Sequence, residues 1–183
     1  MDLPTDHLTG AILLAIFVAV IKYVADRWAG RRHARLKRLN AQLELLYGPM
    51  LALSHANDEA WKGFRAIHRP TKASYWDPAD APSAKEAEAW RMWIQTVFMP
   101  INERLEKLVI TQSHLLISDD IPRCLLELCS HVEAYRGVIA EWRAGDTSHP
   151  TAPVEYPNDI LPSARVWYSQ LKAQQVALVT AGA

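Results

Sequence analysis

Apolar residues between Leu36 and Ile67 recur at alternating steps of three and four. Leu36, Leu39, Leu43, Leu46, Met50, Leu53, Asn57, Ala60, Phe64 and Ile67 form a heptad seam, and eight of these ten positions are large and apolar. The spacing predicts one long amphipathic helix with a single stripe to bury. Gly48 and Pro49 fall inside it. Proline removes an N–H and crowds the preceding turn. The seam keeps its phase from Leu46 to Met50, so the helix is expected to kink there and continue rather than stop and restart.

Three further stripes follow. Lys85 to Ile117 carries Trp90, Ile94, Val97, Ile101, Leu105, Leu108, Gln112 and Leu115. Its consecutive steps of four beside Pro100 point to a second kink or stutter. Ser118, Asp119 and Asp120 are capping candidates for a helix running to about Ala144, with Pro122 in its first turn and Gly145 as its stop. Its stripe is Ile121, Leu125, Leu128, Val132, Tyr135, Ile139 and Trp142. Asn158 or Asp159 would cap a last helix to about Val179, striped by Ile160, Ala164, Trp167, Leu171, Gln174 and Leu178. The expected fold is therefore all-α: an up-down four-helix bundle with kinked long helices.

Upstream lies a different pattern. Ala11 to Ile21 has no polar residue, and Leu8 to Ala25 admits only Thr9, Gly10, Lys22 and Tyr23. Those 18 residues are at the short end of what spans a bilayer. Tyr23 and Trp28 stand where an interfacial aromatic belt would be. A cleaved leader would carry its positive charge before the apolar run and small residues at a cleavage site. Here the N-terminus is acidic, with Asp2 and Asp6. The reading is an N-terminal transmembrane helix over residues 1–30 that continues into a bundle over residues 31–183.

Charge sharpens that reading. The totals balance, with 20 Lys+Arg against 20 Asp+Glu, and so predict neither a nucleic-acid binder nor an acidic-substrate enzyme. Position says more. Arg27, Arg31, Arg35, Lys37 and Arg38, together with Arg32, follow the apolar run against the single acid Asp26. By the positive-inside rule the N-terminus is outside and the bulk cytoplasmic, a single pass through a bacterial inner membrane. The same cations, with Lys22 snorkelling, would face the membrane surface and could hold anionic lipids; the plainer reading is a topology signal. A basic cluster beside a membrane with no recognition motif does not make a nucleic-acid binder.

The basic run followed by L-Y-G-P-M, Leu46 to Met50, resembles a pattern in uncharacterised bacterial single-pass membrane proteins with helical cytoplasmic parts. That resemblance implies a layout and carries no function.

Candidate chemistry is sparse. Di-metal bundles take Glu from two helices and Glu-x-x-His from the others, and no Glu-x-x-His is present. The nearest groupings are His55 with Asp58 and Glu59, and Glu127 with His131; each shares a helix face, but neither closes a ligand shell. No nucleophile elbow, phosphate loop, dinucleotide fingerprint or zinc spacing occurs. Cys124 and Cys129 would sit roughly 140° apart on a helix, as two small thiols. Seven tryptophans are many for this length, and Trp90, Trp142 and Trp167 fall on stripes. No cofactor is expected.

Two proline-rich connections remain, Arg69 to Ala84 and Asp146 to Pro157. In an up-down bundle both lie at the end far from the anchor, bringing Tyr75, Trp76, Asp77, His149 and Tyr156 to one tip. Asn57 on the seam, with Tyr75, Trp76 and Tyr156, are the interaction candidates. The functional expectation is a non-enzymatic membrane-anchored scaffold, regulatory or accessory subunit, working on a protein partner or as a homo-oligomer. The alternatives are a bundle enzyme or metal/cofactor protein, and a membrane-perturbing effector in stress or phage defence.

Overall fold

A computed structural model describes residues 5–72, 74–77 and 79–180, with side chains from Ile12 onward. The fold is all-α, built of four helices. Helix α1 spans residues 5–67, as Thr5–Gln42, a π-turn at Leu43–Tyr47, and Gly48–Ile67. Helix α2 spans residues 84–112, as Ala84–Trp93, a π-turn at Ile94–Phe98, and Met99–Gln112; one 3-10 turn, Ser113–Leu115, follows. Helices α3, Arg123–Arg143, and α4, Ile160–Thr180, complete the chain.

Both helix-internal prolines are accommodated in the same way. Each π-turn ends two residues before a proline, at Pro49 and Pro100, and the residue between donates across five residues: Gly48 N–H to Leu43 O, Met99 N–H to Ile94 O. The wider turn takes up the missing donor and the crowding of the ring, so the helix continues. It also adds a residue, and the second stripe is only partly the expected one: Trp90, Ile94, Leu105 and Leu115 are buried as expected. Phe98, Met99, Asn102, Glu106 and Val109 are buried, while Val97, Ile101 and Leu108 are only half-buried. Gly48 fits its place for a further reason. A Cβ there would lie 2.5 Å from Leu43 O and 3.8 Å from the Tyr168 ring of α4.

Neighbouring helices run antiparallel. Phe64 near the top of α1 meets Trp93 and Phe98 of α2, while Gln42 below donates to Leu115 O at 2.8 Å. Tyr47 meets Trp167 of α4, and Arg32, 15 residues lower, meets Leu178. The core is one cluster running from Leu39 to Leu171. On α1 it ends at Phe64, since Ile67 is 69% exposed.

Several local expectations are corrected. Helix α2 stops at Gln112, short of Ile117. The residue before α3 is Pro122, whose carbonyl accepts from Leu125 and Leu126, so Ser118–Asp120 do not cap it. Gln174 is exposed, while Ile160, Ala164 and Leu171 of the same stripe are buried as expected. Gly145 does end α3, at φ 92°: its N–H bonds Trp142 O and Asp146 N–H bonds Glu141 O, the paired closure that a left-handed residue allows.

The largest correction concerns the second proline-rich loop. It starts at the top but runs back down along α3, so α4 begins below the tip rather than at it. Pro150 lies by Trp90, Val154 by His131, and Tyr156 by Asn57. Only the first loop and the start of the second share the tip; Tyr156 sits half-buried at mid-height.

Among the described residues no helix is long and apolar enough to cross a membrane. Residues 8–11 of the expected span lie outside the described side chains. The transmembrane expectation is therefore unsupported at this level. Pro78 also lies outside the described residues.

Candidate functional site

The lower third of α1 is where the chain turns its chemistry outward. Ile12, Leu13, Leu14, Ile16, Phe17, Val18, Val20 and Ile21 are each more than half exposed. Successive residues point 100° apart, so this apolar surface goes all the way round the helix. Tyr23 and Trp28 are exposed just beyond it, and Arg27 donates to the Tyr23 hydroxyl at 3.0 Å.

The basic run that follows divides into two roles. Arg32 turns inward to α4. Its Nε and Nη2 donate to Leu178 O at 3.0 and 2.6 Å, and Nη2 reaches Val179 O at 3.3 Å. These are carbonyls of the last helical turn, where orphan acceptors and the helix dipole both favour a cation. Leu36 and Leu39 lie on the same face, and Asn40 accepts from Gln175 at 2.6 Å. Arg27, Arg31, Arg35 and Arg38 instead fall within about 80° of one another, centred about 110° around the helix from the Arg32 face. All four are exposed, as is Lys37 to one side. The sequence displays all six cations alike. Only the Arg32–Leu36–Leu39 spacing separates the one that faces α4.

At the opposite end, the first loop is closed by a buried guanidinium. Arg69 lies at φ 58°, donates to Tyr75 O at 2.9 Å, and through Nη2 to Asp80 O and to Asp80 Oδ2 at 2.7 Å. Lys72 holds the same carboxylate at 2.5 Å. Lys72 first, with Arg69 beside it, keeps the Asp80 carboxyl below its usual range. Tyr75 faces inward. Its ring stacks on Trp90 at 5.2 Å and tilts against Phe64 at 5.0 Å, and its hydroxyl donates to Glu86 O at 2.7 Å. Trp76 packs beside it, half-buried. Asp77 accepts from Ala79 N–H within the loop.

Asn57, Tyr156 and His131 do come together in the interior. The Tyr156 phenol lies beside Asn57, and the His131 ring meets Tyr156 edge-on at 5.5 Å and Tyr135 at 4.9 Å. His131 Nδ1–H donates to Val154 O at 2.7 Å. Burial holds the imidazole below its ordinary pKa and pushes Tyr135 and Tyr156 up to about 12. The His131 Nδ1–H on Val154 O ties the second loop to α3.

The remaining metal candidates are dispersed. His55 is exposed, Asp58 and Glu59 both pair with Lys62, and Glu127 pairs with Arg123. Among the described residues no group of three or more His, Cys, Asp or Glu is placed to hold a metal. The free thiols Cys124 and Cys129 are raised by burial. Two contacts went unforeseen in the sequence: the Arg69 clasp, and the pair that Arg136 of α3 makes with buried Glu106 of α2 at 2.6 Å.

The chain matches no protein-family model, no curated protein and no solved structure.

Proposed function

We propose that this chain is a membrane-anchored, non-enzymatic scaffold or accessory subunit. The segment Leu8 to Ala25 would cross a bacterial inner membrane once, with its N-terminus outside and the bundle on the cytoplasmic side. The bundle, its heptad helix and its tip would engage a protein partner or a second copy.

One observation carries the reading. A helix on the surface of a globular protein hides its apolar face against neighbours. From Ile12 to Ile21 α1 exposes apolar side chains in every direction, and nothing among the described residues covers them. Lipid suits a helix that is apolar all round, bordered by Tyr23, Trp28 and arginines.

The test is extraction of the tagged full chain in mild detergent, with its native mass and its co-purifying proteins measured. Retention in the membrane fraction at high salt and alkaline pH, lost on deletion of residues 8–25, is the expected result with a stoichiometric partner or defined oligomer. Release by salt alone would refute the anchor, and a monomer without partners would refute the scaffold.

A further inference from the structure

We infer that Arg27, Arg31, Arg35 and Arg38 form one docking stripe for anionic lipid headgroups, and that engaging it tilts α1 against the bilayer surface. The inference rests on the membrane anchoring proposed above and goes beyond it. A topology signal needs only charge near the end of the span; a docking stripe needs charges on one side, unobstructed.

The structure supplies both conditions. The four arginines are exposed and share one face. Helix α4 packs on a different face, held by Arg32 on Leu178 O and by Asn40 with Gln175. Helix α4 therefore leaves the stripe clear, and the nearest element on the stripe's own side is the turn at the end of α2, held one turn above Arg38 by Gln42 on Leu115 O. The occupant follows from charge and continuity: four cations on the helix that carries the exposed apolar segment, beginning two residues past Ala25.

Distance is what makes the idea testable. Along the axis, Arg27 and Arg31 lie about 3 and 9 Å beyond Ala25, Arg35 and Arg38 about 15 and 20 Å. At physiological ionic strength charges are screened within about 8 Å. In an upright helix only the first pair would feel the surface. A helix leaning toward the stripe brings the second pair down and lifts α4 away from the headgroups. A cation close to an anionic surface raises lipid occupancy by about fivefold.

The experiment uses the full chain in nanodiscs of phosphatidylcholine and phosphatidylglycerol, followed by mild extraction and mass spectrometry of the retained lipid. The expected result is enrichment of phosphatidylglycerol in the native chain. It should fall about fivefold or more in R27Q/R31Q and again in R35Q/R38Q, hold in R165Q on α4, and vanish in 1 M salt, where the screening length is about 3 Å. The melting temperature should be unchanged in both pairs, because the stripe does not touch α4. No enrichment in the native chain overturns the inference. So does enrichment that R35Q/R38Q leaves intact, which would mean an upright helix with ordinary topology charges. Failure of the chain to enter nanodiscs would refute the anchor itself, a separate outcome.

Discussion

The two proline-rich loops look alike in sequence and are held by opposite means. The first, residues 68–83, is closed by a cation: Arg69 gathers Tyr75 O and both oxygens offered by Asp80. The second, residues 145–159, is pinned by neutral ring donors. Trp142 Nε1 reaches His149 O at 2.8 Å, Trp90 Nε1 reaches Pro150 O at 2.9 Å, and His131 Nδ1 reaches Val154 O. A guanidinium can serve several acceptors from one point and so folds a loop onto itself. Separate donors spaced along α2 and α3 stretch a loop out beside them. The first loop therefore stays at the tip, and the second becomes a strap that fills the bundle down to Tyr156.

The largest expected effect is at the aromatic anchor of the first loop. Tyr75→Ala should cost about 4 kcal/mol in a denaturant titration, through a cavity against Phe64 and Trp90. Arg69→Ala comes next, at about 3 kcal/mol, since two loop carbonyls lose a charged donor and alanine keeps the left-handed backbone strain. Arg69→Gly should recover about 1 kcal/mol of that by relieving the strain; equal losses in the two variants would show that the clasp alone matters. On the second loop, Trp142→Phe should cost only about 1–2 kcal/mol, one donor to one carbonyl. A loss as large as that of Arg69→Ala would erase the distinction between clasp and strap.

Acidification should separate the loops most gently. His131 is held below its ordinary pKa by burial, so the unfolded chain binds its proton first. That contribution is intact above about pH 6.5, the unfolded imidazole value, and is lost as pH falls through the lower folded value. Asp80 is likewise held below its ordinary value, so its contribution survives until pH drops below about 4. Hydrogen exchange between pH 7 and 3 should release amides around Val154 before those around Tyr75. His131→Gln, which keeps a donor but no titrating ring, should remove the first step and leave the second.

Much of the fold was legible because it is written in periodicity. Leu39, Leu43, Leu46, Met50, Leu53 and Phe64 are buried as the heptad requires, and so are Leu125, Leu128, Val132, Tyr135, Ile139 and Trp142. Gly145 was legible as a stop, while the capping box of Ser83 with Glu86 went unforeseen at the end of the stretch read as loop. What periodicity does not record is a change of pitch. The π-turn at Ile94–Phe98 moved the α2 stripe onto Phe98, Asn102 and Val109, and the only local sign was a broken step beside Pro100. Long-range polar choices were equally hidden. Nothing near Arg32 in the chain shows that it will meet residue 178, and nothing near Arg69 shows that its guanidinium will be buried. The separation of Arg32 from its five basic neighbours, on which the candidate site depends, is marked in the sequence only by the spacing to Leu36 and Leu39 and is completed by the bond to Leu178 O.

The π-turns have a consequence for how this chain tolerates length change. An α-helix that loses one residue turns everything beyond the loss by about 100°, which takes a buried stripe out of the core. A π-turn is a helix already carrying one residue too many. Leu45, exposed within the first of them, is the kind of residue whose removal would return the turn to ordinary pitch while Met50, Leu53 and Phe64 keep facing inward. The same loss at exposed Ala56 has no such slack to draw on. Seen through heredity rather than mechanics, Leu43–Tyr47 and Ile94–Phe98 are the two places where a helix of this protein can have grown by a single codon and kept its core.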